Sequence, residues 1–244
     1  SQRRVLGNRR LISTWPARGG PVIRDGRVYF TAGIWPFMGV FIYALDARSG
    51  KVAWENDWTG SQFILQPHNS PAFAGIAPQG ALVAAGDGII APGGRSVPAL
   101  FAREDGSQRY FHLAAQNKTG GSFACAASHV FFNHYRDQVC SMYDLATGKA
   151  LIERIGSSPV ISGDLILFGG KTVRAFDSRE LQEVSRWFLT GNFMERWLAG
   201  LDADKIKPAF LGSAVKWWVR RKSRLWRGAV LWEAKVDAGR DLIR

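Results

Sequence analysis

The residues best suited to binding chemistry are cations, amides, histidines and one tryptophan that fall between strand-like segments. The set comprises Arg18, Trp35, His68, Asn69, Arg95, Asn117, Lys118, His134 and Lys171. Arginine offers a bidentate fork to a carboxylate, lysine offers a point charge, and tryptophan offers a flat stacking face. Brought together, these groups would suit a planar or carboxylate-bearing small ligand. The alternative is that they are solvated loop residues that cap turns and keep the surface soluble.

A second set of candidate residues lies in the basic, Trp-containing run 216–227. Its members are Lys216, Trp217, Arg220, Arg221 and Arg224. Basic side chains interleaved with tryptophan can lie on an anionic membrane surface or stack on single-stranded nucleic acid. The alternative is a helix that packs its Trp side on the rest of the protein and leaves its Arg side in water.

The residue pattern predicts neither a metal site nor catalytic residues. The histidines His68, His112, His129 and His134 are too scattered for a zinc site. Several Gly-Gly pairs occur, but none leads into a helix with a following Lys-Ser/Thr, so a phosphate-binding loop is not predicted.

The stretch 41–54, FIYALDARSGKVAW, shows best which elements would position such residues. Its apolar and aromatic residues favour pleated structure on both sides of a polar centre. Asp46 can accept hydrogen bonds from the turn backbone, and Gly50 supplies the positive φ needed to leave the turn. The stretch therefore predicts a strand, a tight turn and a second strand.

Related stretches recur along the chain. The stretch 142–152 keeps both the Asp and the Gly, 100–110 keeps the Gly, and 173–181 keeps the Asp. Each is preceded by a shared upstream half that reads as two further strands, clearest at 21–30 and 159–168. Weaker copies of that half lie at 71–84 and 123–132. Units of four strands repeated every ~40–50 residues predict the blades of a β-propeller.

The propeller architecture also predicts where the first set of candidate residues would meet. In a blade, the loop between the second and third strands opens on the same face as the loop that leads to the next blade. Arg18, His68, Asn69, Asn117 and Lys118 fall in predicted inter-blade loops, and the other members fall in within-blade loops. We therefore expect all of them on one rim, near the central channel.

The repeat pattern apolar-Tyr-Ala-Leu-Asp-Ala-x-(Ser/Thr)-Gly-Lys-x-x-Trp resembles that of the pyrroloquinoline-quinone-like (PQQ-like) propellers. These include quinoprotein alcohol dehydrogenases and a lipoprotein that assists outer-membrane protein assembly. The stretches 35–39 and 66–71 look like a bacterial group of such repeat proteins. The resemblance covers roughly residues 15–180. It implies a WD40-like propeller architecture and carries little about function, because the motif builds hairpins and does not touch substrate.

The resemblance also frames the enzymatic alternative. Quinoprotein dehydrogenases are expected to use PQQ with a Ca²⁺ ion held by carboxylate and amide oxygens, a catalytic Asp, and commonly two adjacent cysteines. Here Cys125 and Cys140 are not adjacent, and Asp137 is the one acidic residue in the predicted rim loops. The two cysteines are expected on neighbouring strands, either bonded or, in the favoured interpretation, as two small buried side chains.

Composition sets broader limits. The chain has 244 residues, of which 46% are hydrophobic, and ten are Trp, so it can bury a sizeable core. Its net charge of +12 favours anionic partners such as nucleic acid, acidic glycan, anionic lipid or a carboxylate ligand. There is no run of ~18 apolar residues to span a membrane and no signal-peptide core. Only the family resemblance implies the periplasm or cell envelope.

We divide the chain into four parts. They are a lead-in from a preceding blade at 1–14, PQQ-like blades at 15–181, a basic Trp-rich and partly helical insertion at 182–227, and a truncated return to strands at 228–244. The four blades are expected at 15–57, 63–113, 120–155 and from 157 onward. An incomplete ring of a longer propeller is expected.

These features together predict an all-β protein, a non-catalytic propeller scaffold that binds a small anionic ligand or a protein partner at one face. Two alternatives remain open. One is a degenerate PQQ-dependent oxidoreductase fragment, and the other is binding of nucleic acid or an anionic membrane through 216–227. Nucleic acid is the less favoured partner.

Overall fold

The computed structural model describes residues 3–7, 9–60, 62–66, 68–113, 119–135, 139–169, 172–189 and 230–235. The asparagine, lysine and basic-run candidates at 117, 118, 171 and 216–227 lie outside these residues. Within the described part, antiparallel strands dominate and form four blades in chain order. The prediction of an all-β fold built from propeller blades is confirmed.

Blades 1 and 2 are separate four-stranded sheets. The strands of blade 1 are β3 (Ala17–Arg24), β4 (Arg27–Ala32), β5 (Phe41–Asp46) and β6 (Val52–Asn56). The strands of blade 2 are β9 (Val83–Ala85), β10 (Gly88–Ala91), β11 (Ser96–Ala102) and β12 (Gln108–Leu113). Each strand pairs with the next one along the chain, which is the order expected for a propeller blade.

Blades 3 and 4 share one seven-stranded sheet because a single long strand passes from one to the other. Its strands are β13 (Thr119–Ala126), β14 (Val130–Tyr135), β15 (Cys140–Asp144), β16 (Ala150–Ser162), β17 (Leu165–Gly169), β18 (Thr172–Asp177) and β19 (Val230–Lys235). The first half of β16 pairs with β15, and the second half pairs with β17 from Ser157 onward. Strand β19 completes blade 4 by pairing with β18.

Three hydrophobic cores lie between successive blades. Tyr29 and Ile42 of blade 1 pack with Ile89 and Phe101 of blade 2. Leu100 of blade 2 belongs to the next core, which it shares with blade 3. The third core joins blade 3 to blade 4. Each blade is therefore stabilised mainly by apolar burial against its neighbours.

The Asp–Gly turn has the same hydrogen bonds in blades 1 and 3. The amide of Gly50 donates to the Asp46 carbonyl at 2.9 Å, and the amide of Gly148 donates to the Asp144 carbonyl at 2.9 Å. In blade 2, Gly106 makes the same bond to the carbonyl of Ala102. All three glycines have positive φ. The repeat prediction therefore identifies a real structural unit.

Blade 4 replaces this turn with a helix. Helix α1 (Ser178–Leu189) begins where the turn would lie, and the Asp177 carboxylate accepts hydrogen bonds from the amides of Arg179 and Glu180. The helix thus starts four residues before the expected boundary of the insertion at 182. An Asp that accepts amide hydrogen bonds suits a turn and a helix start equally well, so the local pattern does not separate them.

Two hairpins lie outside the four blades. The first joins β1 (Arg4–Gly7) to β2 (Arg10–Ser13), and the second joins β7 (Gln62–Leu65) to β8 (Pro71–Ala74). The interpretation of 71–73 as the first strand of blade 2 is therefore wrong, since that strand is β9. Residues 71–74 instead turn back on β7, because apolar residues alternate on both sides of a polar tip.

The expected placement of the cysteines on neighbouring strands is also wrong. Cys125 lies on β13 opposite Phe132, and Cys140 lies on β15 opposite His134, so β14 separates them. Two strand spacings amount to ~9–10 Å, which exceeds the span of a disulfide. Both cysteines are free thiols.

Candidate functional site

The blades have two chemically different ends. The turn end carries the tight turns between first and second strands and between third and fourth strands. The loop end carries the connections between second and third strands and between blades. Of the predicted rim residues that the structure describes, Trp35 and Arg95 lie in connections at the loop end, and Arg18 and His134 lie near the loop-end termini of β3 and β14 rather than in loops. His68 and Asn69 lie on the β7–β8 hairpin, outside the blades.

The rim residues of blade 1 are held by different elements. Arg18 lies within β3 rather than in the loop before it, and its carbonyl accepts a hydrogen bond from the Thr31 hydroxyl at 2.6 Å. Trp35 precedes a short 3-10 helix at Pro36–Met38, and its ring stacks on that of Phe37 with 6.3 Å between ring centres.

The rim residues of blades 2 and 3 lie near a close backbone contact. The amide of Gly121 donates to the Gly94 carbonyl at 3.0 Å, and a Cβ on Gly120 would lie 3.3 Å from the Cα of Arg95. His134 stacks its ring on Phe123, with 4.6 Å between ring centres. His68 and Asn69 lie apart from these residues, at the tip of the β7–β8 hairpin, and both are exposed.

Among the described rim residues, no hydrogen bond or ion pair joins two of the predicted side chains. Arg18, Trp35, Arg95 and His134 lie towards the loop end of their blades, His68 and Asn69 lie on a separate hairpin, and these residues do not form one cluster. Binding of a small anion by these residues therefore stays a prediction.

The loop end also carries apolar side chains that the residue pattern did not single out. We call Trp35, Phe37, Phe63, Leu65 and Phe73 the loop-end apolar surface. Phe37, Phe63, Leu65 and Phe73 are each 62–65% exposed, and Trp35 is 42% exposed. The alternation of apolar residues on either side of the Pro-His-Asn tip could have revealed the outward face of the hairpin.

These side chains lie on neighbouring segments. Phe63 and Phe73 are directly opposite each other across the hairpin, with ring centres 5.2 Å apart. The end of β8 packs on the 3-10 helix, since a Cβ on Gly75 would lie 3.2 Å from the Cβ of Pro36. That contact sets the hairpin beside Trp35 and Phe37.

The turn end holds a cavity of about 560 Å³ between blades 1 and 2. Its lining includes Arg27, Arg103 and Arg109 together with Asp25 and Asp87. Arginine and aspartate side chains could bind a charged small molecule. Whether they are free to do so depends on the hydrogen bonds that they already make.

Each of the three guanidinium groups in the cavity already has a partner. Arg109 donates to both oxygens of Asp87, at 2.7 and 2.5 Å, and these hydrogen bonds lower the pKa of Asp87. Arg103 donates to the Asp25 carboxylate. Arg27 donates to the carbonyls of Arg103 at 3.4 Å and Glu104 at 3.3 Å.

The cavity is thus internally neutralised. An incoming anion would have to displace a carboxylate that makes charge-assisted hydrogen bonds, which opposes its binding. The bonds of Arg103 to Asp25 and of Arg27 to the carbonyls of Arg103 and Glu104 instead join the turns of blade 1 to a turn of blade 2, whereas the Arg109–Asp87 pair lies within blade 2.

The described residues do not fit a PQQ site with Ca²⁺. No group of three or more His, Cys, Asp and Glu side chains within the described part of the chain could hold a metal ion. The acidic rim residue Asp137 lies outside that part. The thiols of Cys125 and Cys140 lie on strands separated by β14, so they do not supply an adjacent pair.

Both thiols are also poor nucleophiles in the folded protein. Burial raises the pKa of Cys125 to about 12, with a further contribution from the nearby Cys140. Burial raises the pKa of Cys140 to about 11. Since the thiolate is the reactive form, both side chains behave as packing residues at neutral pH.

In comparison with known proteins, this chain is similar in structure to several solved proteins. No family model and no curated protein matches the sequence. BamB from Moraxella catarrhalis is 14% identical with a TM-score of 0.42, over 67% of this chain and 47% of BamB. The computationally designed Ika4 protein is 12% identical with a TM-score of 0.44, over 66% of this chain and 91% of Ika4.

A europium-containing methanol dehydrogenase is 11% identical with a TM-score of 0.39, over 68% of this chain and 41% of the enzyme. This chain therefore spans less than half of BamB and less than half of that enzyme. No helix among the residues that the structure describes is long and apolar enough to cross a lipid bilayer.

Proposed function

We propose that this chain is a non-catalytic β-propeller scaffold that binds a protein partner at its loop end. The observation that carries the proposal is the loop-end apolar surface, where Phe63, Leu65 and Phe73 are each more than 60% exposed. Contiguous apolar surfaces on soluble proteins commonly mark interaction sites, and aromatic residues are enriched at the cores of such sites.

The hairpin is built to present these residues outward. Along β7, Phe63 and Leu65 are exposed while Gln62 and Ile64 are half-buried. Along β8, Phe73 is exposed, and Ala72 and Ala74 are half-buried. Because alternate residues of a strand point to opposite faces, one face of the hairpin supports the protein and the other carries the aromatic side chains.

The side chains at the turn end and the loop end of the blades favour a protein partner over a small anion. The guanidinium groups of the turn-end cavity are engaged by carboxylates and carbonyls, as described above. At the loop end, the exposed groups brought together are apolar, and an apolar segment of another polypeptide is their natural complement. A small anionic ligand at the predicted rim remains the alternative, supported by the net charge of +12.

The other predicted activities have less support. The PQQ-dependent oxidoreductase alternative lacks fitting residues in the described part of the chain. Contact with nucleic acid or an anionic membrane depends on 216–227, which lies outside it. The proposal also places the protein in the periplasm or cell envelope, which rests on the resemblance of its repeats. Cell fractionation that finds the protein in the cytoplasm would contradict that placement.

Selection of phage-displayed random peptides tests the proposed binding surface. Peptides selected on the wild-type chain are then titrated against the double variant Phe63→Ser/Phe73→Ser. We expect their affinity to fall by about 30-fold or more, the usual cost of losing aromatic anchors. The control is Leu6→Ser, which removes a side chain that is 76% exposed on the separate β1–β2 hairpin.

The proposal is wrong if the selection yields no peptide that binds the purified chain. It is equally wrong if the selected peptides bind the double variant as tightly as the wild type. Far-ultraviolet circular dichroism of both variants verifies that they are folded before either result is interpreted.

A further inference from the structure

The β7–β8 hairpin is a two-stranded sheet, so each of its strands has one edge without a partner strand. In the described part of the chain, β7 pairs with β8 and with no other strand. The unpaired edge of a strand presents main-chain amides and carbonyls that can pair with another chain. What the hairpin can bind therefore depends on which main-chain groups face outward on each edge.

The register of the hairpin shows which groups face outward. The amide of Gln66 donates to the Ser70 carbonyl at 3.0 Å, so these two residues form a hydrogen-bonded pair at the tip. Hydrogen-bonded and non-hydrogen-bonded pairs alternate along an antiparallel ladder. Leu65 and Pro71, the next pair, are therefore not hydrogen-bonded to each other. The same holds two residues further along, and the main-chain groups of such pairs point away from the hairpin.

The outer edge of β7 keeps a full set of main-chain groups. Phe63 and Leu65 each direct one amide donor and one carbonyl acceptor outward. No described residue forms a main-chain hydrogen bond with them on that side. Strand β7 contains no charged residue and no proline, and its pairing with β8 has no bulge. Natural edge strands are commonly protected by these devices, so this edge is unprotected.

The outer edge of β8 differs because proline removes one of its donors. Pro71 has no amide hydrogen, so Phe73 is the residue of β8 that can donate outward. Beyond Phe73 the chain packs on the 3-10 helix of blade 1, where a Cβ on Gly75 would lie 3.2 Å from the Cβ of Pro36. Of the two edges, β7 is therefore the one suited to pairing with another strand.

Side-chain hydrogen bonds hold the start of β7 in place. The Nε2 atom of Gln62 donates to the Thr59 carbonyl at 3.0 Å and to the Oε1 atom of Gln108 in β12 at 2.8 Å. The hairpin is thus fixed to blade 2 through Gln62 and to blade 1 through the contact of Gly75 with Pro36. An edge that is fixed in advance loses little conformational entropy when it binds.

We propose that β7 binds an extended segment of a partner protein as an additional strand. The inference rests on the proposed function, since it specifies how the partner is held at the loop end. Main-chain hydrogen bonds to Phe63 and Leu65 hold the segment. Side chains opposite these two residues lie on the same exposed face, so the segment carries aliphatic or aromatic residues at alternate positions. The net charge of +12 favours acidic residues on either side of it.

Methylation of the main chain of a bound peptide tests the pairing. Peptides selected by phage display on the wild-type chain are synthesised with one N-methyl group at each position in turn, and their affinities are measured by calorimetry. We expect a loss of about 10-fold at two positions that are two residues apart, and a smaller change at the position between them. A strand added to β7 imposes this period, because its amides alternate between the two edges.

Proline substitution tests the edge of β7 from the protein side. Leu65→Pro removes an outward amide together with the leucine side chain, and Leu65→Ala removes the side chain alone. We expect the proline variant to bind the selected peptides about 10-fold more weakly than the alanine variant. The same comparison at Phe73, on the opposite edge of the hairpin, is the matched control, because proline and alanine should have equal effects there.

Two results would overturn this inference and leave the proposed function standing. The first is a series of N-methylated peptides whose affinities are unchanged or fall without the two-residue period, while the double variant Phe63→Ser/Phe73→Ser still binds the parent peptides weakly. The second is equal binding by Leu65→Pro and Leu65→Ala. In both cases the apolar side chains hold the partner without strand pairing.

Two further results would overturn it in other ways. A selection that yields no peptide removes the proposed function as well. A wild-type chain that forms a dimer in analytical ultracentrifugation, dissociated by Leu65→Pro, would make a second copy the occupant of the edge. Circular dichroism verifies that Leu65→Pro is folded, and the N-methyl series uses the wild-type chain, so that measurement does not depend on the variant.

Discussion

Gly50 of blade 1 and Gly106 of blade 2 occupy the same turn and have different surroundings. Their φ angles are +68° and +74°, and each amide donates to the carbonyl that opens the turn. Trp54 covers Gly106, whereas nothing lies within 4 Å of a Cβ at Gly50. The comparison separates two reasons for glycine at this position. One is the positive φ of the local backbone, and the other is the close approach of a ring from a neighbouring blade.

Gly148 of blade 3 shows that the second demand does not require tryptophan. Tyr110 covers it and reaches the Leu145 carbonyl through its hydroxyl, much as Trp54 reaches the Arg103 carbonyl through its indole nitrogen. The shared element is an aromatic ring with one donor at its edge. Gly106 and Gly148 therefore differ from Gly50 in having an aromatic ring packed on them that also donates a hydrogen bond to a carbonyl of the same turn.

Removing the covering ring should have the largest effect. Trp54→Ala is expected to lower the free energy of unfolding by about 3 kcal/mol, because it empties packed space and removes the indole donor to Arg103. Urea denaturation at a protein concentration low enough to exclude association provides the measurement. A loss below about 1 kcal/mol would mean that the ring contributes little to the interface.

Adding a methyl group under the ring should come next. Gly106→Ala is expected to cost about 2–3 kcal/mol, since positive φ and the close ring both oppose it. Combined with Trp54→Ala, its cost should shrink, because the clash disappears with the ring. Full additivity of the two variants in urea denaturation would show that they act separately.

Removing only the hydroxyl at the second covered glycine should have a smaller effect. Tyr110→Phe keeps the ring over Gly148 and leaves the buried Leu145 carbonyl without this donor. The expected loss is about 1–2 kcal/mol in thermal or urea unfolding. An unchanged stability would show that the hydroxyl is not part of the docking contact.

Gly50→Ala should cost about 1 kcal/mol in the isolated chain, because only the backbone conformation opposes the methyl group. The same unfolding measurement, made at low protein concentration, compares it with Gly106→Ala. Equal costs for the two variants would remove the distinction between the open and the covered turn.

The aspartates of these two turns should behave alike and have the smallest effect. Amide and hydroxyl hydrogen bonds from Ser49 lower the pKa of Asp46, and those from Ser107 lower the pKa of Asp105. A lowered pKa adds stability above the unfolded value of about 4, and this is lost as the pH falls through the folded pKa. The free energies of unfolding of Asp46→Asn and Asp105→Asn should therefore be lower than that of the wild type at pH 7 and converge with it in strong acid.

Much of the fold was predictable because its signal is local. The turns at Gly50, Gly106 and Gly148 are marked by residues within a few positions of each other. The boundary between blades 3 and 4 near residue 156 also follows from the repeat. The pattern could not predict the aromatic rings that cover Gly106 and Gly148, since each ring is far from its glycine in the sequence.

The candidate sites were harder to predict for two reasons. The sequence predicts the segment of the β7–β8 hairpin as part of blade 2, because apolar alternation does not specify which strand a segment will pair with. The cavity arginines were likewise not singled out, since their partners come from another blade or another turn. Arg18, Trp35, Arg95 and His134 lie towards the same end of their blades, but a shared end does not bring side chains into contact.

Strand β16 has a mechanical consequence. It runs through thirteen residues from blade 3 into blade 4 without a connecting loop. A pulling force on blade 4 would therefore act directly on blade 3, because no flexible loop between them can extend. The two blades should therefore unfold together. The connection between blades 1 and 2, which contains the β7–β8 hairpin, would extend first, so stretching should release blade 1 separately from blades 3 and 4.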